Sequence, residues 1–229
     1  MRGISPIPTY VVMQPTTLCN LDCTYCYLPF RALDQRMTLA VAESTAVCVN
    51  AWAAQRADEC AGGQGQSFSV VWHGGEPLAA GRDGLAELMA PFVGVDHHIQ
   101  TNATLIDDAW CEFFTANGVR MSVSVDGPPG LNGERVNRGG APAYQRIIRG
   151  IDTLRRHAVP FSALCVVSKP RPGLAAELYA YFLDLGCDVL GINIEEQEGV
   201  NARTNDFPAE LVQGFWSELV GVSDVGRYR

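Results

Sequence analysis

The sequence predicts an α/β fold, a partial (β/α)6 TIM-like barrel. Strand-like and helix-like segments alternate six times along the chain, which calls for a parallel sheet with right-handed crossovers. Several strand candidates are unbroken apolar runs, Val70-Val71-Trp72 and Leu164-Cys165-Val166-Val167 among them, as expected of strands covered on both faces. The length of 229 residues suits one domain with a sizeable core. Six units stop short of the eight that close a barrel.

The elements follow in order. Tyr10 to Met13 is the first strand. Thr38 to Ala54 reads as a helix, with Ala40, Val41, Ala46, Val47 and Ala51 as its apolar stripe. Phe68 to Trp72 is a β-rich run ending in His73-Gly74-Gly75, and Leu85 to Phe92 is helical. His97 to Thr101 is a short strand ending at Asn102. Asp107 to Asn117 is a helix with Gly118 in the terminating position. Arg120 to Val125 alternates polar and apolar, then meets Asp126-Gly127-Pro128-Pro129. Tyr144 to His157 and Leu174 to Leu185 are helices, the second closed by Gly186. Phe161 to Val167 and Val189 to Ile194 are strands, and Pro208 to Val220 is the last helix. Ala61 to Gln66 is a glycine-rich surface connector, since neither lysine nor helix start follows it as a phosphate cradle requires.

Composition narrows the function classes. A net charge of −8 argues against a nucleic-acid surface. The N-terminus lacks the apolar core of a secretion signal, and no apolar stretch is long enough to span a bilayer. The chain is therefore read as cytoplasmic, and eight cysteines there point to metal or catalytic use before disulfides. Cys48, Cys60, Cys111, Cys165 and Cys187 share no ligand-like spacing and are expected to be small core hydrophobes.

The other three stand in Leu18-Cys19-Asn20-Leu21-Asp22-Cys23-Thr24-Tyr25-Cys26-Tyr27, a C-x3-C-x2-C run. Three thiolates from one loop hold three corners of a cubane, whereas a fully protein-ligated [4Fe–4S] cluster takes four. The fourth iron is left open, the mark of a catalytic metal site. A zinc knuckle is the alternative, but such sites pair two C-x2-C halves, and no second half lies nearby.

The spacing, the aromatic Tyr25 before the third cysteine, and Gly74-Gly75-Glu76-Pro77 after a strand together resemble the radical S-adenosylmethionine (SAM) enzymes. That resemblance implies the radical SAM core, with a [4Fe–4S] cluster on Cys19, Cys23 and Cys26 and SAM bound at the strand ends. It places Gly74, Gly75, Glu76 and Pro77 at the ligand's amino group, Arg135 at its carboxylate, and Asn102, Ser124 and Asp126 at its ribose. A plain turn is the alternative for Asp126-Gly127-Pro128. His73 is as well explained by a structural role, and His97 and His98 are expected to be non-functional. Glu195, Glu196 and Glu198 crowd the last strand's mouth, as a grip for basic substrate, a proton acceptor or a solvated lip.

Gln100-Thr101-Asn102-Ala103-Thr104-Leu105, Ser122-Val123-Ser124-Val125-Asp126-Gly127-Pro128 and Asn193-Ile194-Glu195-Glu196 extend the likeness to peptide-modifying maturases. Within these the chain resembles the branch that makes cyclophane crosslinks in glycine-rich-repeat precursors. The resemblance implies a ribosomal precursor peptide as substrate and a flavodoxin or ferredoxin as electron donor. The alternatives are formylglycine formation of the sulfatase-maturase kind, or a catalytically inactive peptide-binding core. Such maturases carry a C-terminal auxiliary-cluster domain; residues 1–229 read as the radical SAM core alone, with that domain absent from this chain.

Overall fold

The computed structural model describes residues 7–60, 67–202 and 207–226. Six parallel strands pair in sequence order: β1 (Tyr10–Met13), β2 (Ser69–Trp72), β3 (Asp96–Thr101), β4 (Arg120–Ser124), β5 (Phe161–Val167) and β6 (Leu190–Ile194). Between and after them run α1 (Leu39–Cys60), α2 (Arg82–Met89), α3 (Asp108–Ala116), α4 (Tyr144–Arg156), α5 (Leu174–Leu185) and α6 (Ala209–Gly226). The strand order makes a curled half-barrel, the partial TIM-like arc expected. The register is continuous, from Met13↔Trp72 to Val167↔Ile194, so every C-terminal strand end reaches one rim.

Local chemistry sets the boundaries. Asp107 caps α3 by accepting from Trp110 N at 2.8 Å, and Gly118 follows at φ +59°. Gly186 ends α5 in the left-handed region at φ +76°, its N–H returned to the last carbonyls of the helix. Two short 3-10 turns, Pro77–Ala80 and Pro129–Leu131, fall where proline pre-sets the backbone.

α1 departs from expectation twice. It runs to Cys60, and it buries Ala42, Ala46, Val49 and Ala53 while Val41 and Val47 face solvent. Alanine and valine ring the whole helix, so periodicity alone could not choose the face. The connector at Ala61 to Gln66 lies outside the described residues, as does the Cys60 side chain.

The core lies between the convex side of the sheet and the helices: Trp72, Ile99, Phe114, Ile147, Ile151, Leu154 and Phe182 are fully buried. The concave side is not packed. On β5, Phe161, Ala163, Cys165 and Val167 are buried, whereas Leu164 and Val166 line a cavity. The β5 run, expected to be covered on both faces, is thus covered on one and borders open space on the other. Cys111 and Cys165 are buried as expected, Cys187 is half-buried, and Cys48 is exposed, contrary to its reading as core.

α4 approaches the loop after β3 so closely that a Cβ on Gly150 would collide with the Ala103 carbonyl. Backbone cannot yield as a side-chain tip does. Gly150→Ala is expected to destabilise the fold by about 1–3 kcal/mol, measured as a shift in urea midpoint without change in slope.

Candidate active site

The cavity opens at the rim where the strands end and has a volume of about 930 Å³. Cys19, Cys23 and Cys26 all line it. Their loop has no regular structure, so other segments satisfy its polar backbone. Cys19 N donates to Arg31 O at 2.9 Å, Asp22 N to Val136 O at 2.8 Å and Thr24 N to Glu134 O at 3.0 Å. The Arg138 guanidinium donates to Cys19 O, at 2.6 Å from Nη2, and also to Arg31 O. Arg31 pairs with Asp22 at 2.8 Å. Asn102 Nδ2 donates toward Cys19 Sγ at 3.8 Å and to Asn20 Oδ1 at 2.9 Å. Burial pushes the Cys19 thiol up to about 12, with the Glu76 carboxylate adding to the rise. Burial likewise pushes Cys23 up to about 11 against the pull of Arg135.

The Gly74–Pro77 segment is the floor on which that loop rests. Gly75 has φ +61°, and a Cβ there would meet the carbonyl oxygens of Thr16, Leu18 and Thr17 at 2.5, 2.7 and 2.8 Å. Glu76 N donates to Leu18 O at 2.8 Å. The buried Glu76 carboxylate accepts from Thr101 Oγ1 at 2.6 Å, Asn102 N at 2.8 Å and Leu78 N at 3.0 Å. Burial raises its pKa, and these donors oppose the rise. Gly75 and Glu76 reach the cavity wall; Gly74, against the Gln14 side chain, and Pro77, in its 3-10 turn, do not.

Asn102, Ser124, Tyr25 and Arg135 also line the cavity, but Asp126 does not. It is buried behind the wall, where its carboxylate accepts from Tyr25 OH at 2.7 Å, Arg135 Nη2 at 2.9 Å and Val166 N at 3.0 Å. Three protein donors thus converge on it. Burial works against the Arg135 charge, yet the Asp126 carboxylate together with Tyr25 and Cys23 outweighs it and raises the guanidinium pKa. Its Nε is buried without a hydrogen-bond partner.

The opposite wall is formed by Leu164, Val166, Ile192, Ile194 and, from α6 and its approach, Phe207 and Trp216. Glu195, Glu196 and Glu198 border it, and Glu195 is buried, with Asn201 Nδ2 at 3.3 Å. His73 lines the cavity with its pKa lowered by burial. His97 accepts from Trp72 Nε1 at 3.0 Å, a packing role. Sequence reasoning missed Arg138, Asn132 and Asn201. Asn132 is buried and accepts from Asp126 N at 3.0 Å, and only its place in a Gly/Pro-rich turn hinted at this.

The donor set can be tested against the two groups the motifs imply. Among the described residues no three His, Cys, Asp or Glu side chains converge on a single metal ion. A cubane does not require that, because each thiolate binds a different iron. The three sulfurs on one wall fit such a cluster, and the unpartnered Arg135 Nε fits an anionic ligand group.

The radical SAM superfamily model matches residues 13–170, more than half of the chain. The chain belongs to the radical SAM superfamily. Its cofactors are those of that superfamily, a [4Fe–4S] cluster and SAM. An uncharacterised Synechocystis protein is 31% identical over 85% of this chain and 50% of its own length. The serine-type anaerobic sulfatase-maturating enzyme of Klebsiella aerogenes is 31% identical over 97% of this chain and 57% of that enzyme. The chain thus spans about half the length of the curated relatives it matches. Two solved structures share the fold. Native anSMEcpe with bound AdoMet and Cp18Cys peptide has a TM-score of 0.72 at 24% identity, covering 94% of this chain and 59% of that one. Streptococcus suis SuiB bound to precursor peptide SuiA has a TM-score of 0.69 at 19% identity, covering 97% and 47%.

Two expectations follow for this radical SAM chain. Gly75→Ala forces a side chain into three loop carbonyls, so reconstituted protein is expected to carry well under the wild-type iron and sulfide, read by colorimetric assay. Cys19 and Cys23 keep their protons at neutral pH and must lose them to bind iron. Cluster assembly is therefore expected to release protons and to become more favourable as pH rises from 7 to 9, followed by absorbance and proton-release titration.

Proposed function

We propose that this chain is the catalytic core of a radical SAM enzyme that modifies a ribosomal precursor peptide by an intrapeptide, cyclophane-type crosslink. The observation that carries the reading is the three-cysteine loop on one wall of a cavity large enough for a second occupant beside SAM. When bound, the cluster and SAM supply a 5′-deoxyadenosyl radical that removes hydrogen from an unactivated carbon of the peptide.

The chain's own residues bind, orient and exclude water. Cys19, Cys23 and Cys26 would hold the cluster. Gly75 and the backbone beside Glu76 face the amino group, Arg135 the carboxylate, and Asn102 and Ser124 the ribose. Asp126 serves this site through Tyr25 and Arg135. The apolar wall of Leu164, Val166, Ile192 and Trp216 shelters the reacting carbon from water, which suppresses quenching of a radical. The acidic residues beside it, Glu196 and Glu198, receive the basic side of a peptide. A flavodoxin or ferredoxin supplies the electron.

Support comes from relatives whose names place them on peptides and proteins: the precursor-bound SuiB fold and the sulfatase-maturating enzymes. The second of these favours another product of the same hydrogen abstraction. At 31% identity to a serine-type sulfatase-maturating enzyme, oxidation of a serine or cysteine to formylglycine is the competing reading.

With reconstituted enzyme, SAM, reductant and a precursor peptide encoded beside the gene, a crosslink or a serine-derived aldehyde is expected as a mass loss of two hydrogens, whereas a cysteine-derived aldehyde also loses the sulfur. Fragmentation then separates the readings. A crosslink leaves a stretch that refuses to fragment, and an aldehyde is trapped by hydrazide. Cys23→Ala is expected to lose the brown colour and to form no 5′-deoxyadenosine, with turnover down at least a thousandfold, on the order of losing more than 4 kcal/mol of barrier reduction. A wild-type chain with full cluster and no 5′-deoxyadenosine makes it an inactive peptide-binding core.

A further inference from the structure

Asp126 ties together three parts of the chain that are remote in sequence. Its Oδ1 accepts from Arg135 Nη2 at 2.9 Å and Val166 N at 3.0 Å, and its Oδ2 from Tyr25 OH at 2.7 Å. Tyr25 stands beside the cluster ligand Cys26, Arg135 lies on the β4–α4 connection, and Val166 is on β5. The guanidinium sits 5.5 Å from the centre of the Tyr25 ring. The side chains of Arg135 and Asp126 are 6% and 1% exposed, so neither is free to reorient into solvent. One guanidinium nitrogen is thus taken by Asp126, one face rests on Tyr25, Nε is buried without a partner, and the residue as a whole borders the cavity.

A buried donor without an acceptor is costly, and a planar fork held on one side is pre-organised to accept an anion on the other. We propose that Asp126 and Tyr25 are positioning residues that hold the Arg135 guanidinium so that the edge left free by Asp126 meets the carboxylate of SAM. Asp126 fixes the in-plane rotation of the guanidinium through Nη2. The Tyr25 ring fixes its tilt. Because Tyr25 belongs to the cysteine loop, the orientation of Arg135 is coupled to the loop that would hold the cluster. This rests on the reading of Arg135 given above, and it assigns Asp126 a task other than ribose binding.

The test compares SAM with decarboxylated SAM by calorimetric titration of cluster-loaded protein, so no peptide turnover is needed. Wild-type chain prefers SAM, and Arg135→Met sets how much of that preference belongs to the guanidinium. Asp126→Asn is expected to narrow the preference about tenfold, the scale of one lost hydrogen bond to a charged group. Tyr25→Phe, which keeps the ring and the fold, is expected to narrow it severalfold. Iron content stays at the wild-type level in Tyr25→Phe. If Asp126→Asn does not fold, Tyr25→Phe decides alone. Equal weakening of both ligands, with the preference intact, overturns the positioning role and leaves Asp126 as packing. A preference untouched by Arg135→Met removes the carboxylate assignment itself, which is a different failure.

Discussion

A loop with no helix or strand of its own must present three thiols at fixed separations, and the rest of the site depends on how its backbone is restrained. Unpaired backbone groups there would cost as much as lost hydrogen bonds. The chain meets the demand from three directions. The Glu134–Arg138 segment supplies carbonyls and a guanidinium, Arg31 returns from the end of the loop itself, and Glu76 donates from below. Gly75 sits against the loop carbonyls at a distance no Cβ allows. The glycine that in sequence reads as room for a ligand is, first, room for the protein's own backbone.

Glu76 and Asp126 show the same economy. Each is a buried carboxylate with three donors, and each joins two strand ends that would otherwise be held by sheet pairing alone. Hydrogen bonds to an ionised acceptor are roughly twice as strong as neutral ones, which offsets the desolvation of the charge. Removing a donor from either would leave a charge buried with less to compensate it. On the cavity side of these ties stand Asn102, Ser124 and Arg135.

This distinction explains what could be read in advance. The βα period, the strand ends and the gathering of Cys19, Gly75, Asn102, Ser124 and Arg135 at one rim were legible, because parallel strands deliver all their C-termini to one side. The strand ends at Ser124, and the turn beyond it sends Asp126 behind the wall, which the alternation of Arg120 to Val125 does not reveal. The face of α1 was illegible for lack of contrast between its sides. Arg138 was illegible because an arginine that caps a carbonyl over a hundred positions away carries no local signature.

The cavity itself is a consequence of topology. In a closed eight-strand barrel the interior is filled by side chains. Here β1 and β6 do not pair, so the arc is wider than its own side chains can fill. The gap is bridged at the mouth instead of along the strands. Gly199, at φ +56°, lets the turn after β6 press on the Tyr27 carbonyl, and Val200 N donates to that oxygen at 3.1 Å. Tyr27 directly follows Cys26, so the last strand is tied to the cluster loop itself rather than to the sheet edge. The same omission of two strands that leaves the barrel open is what leaves the cavity at the rim.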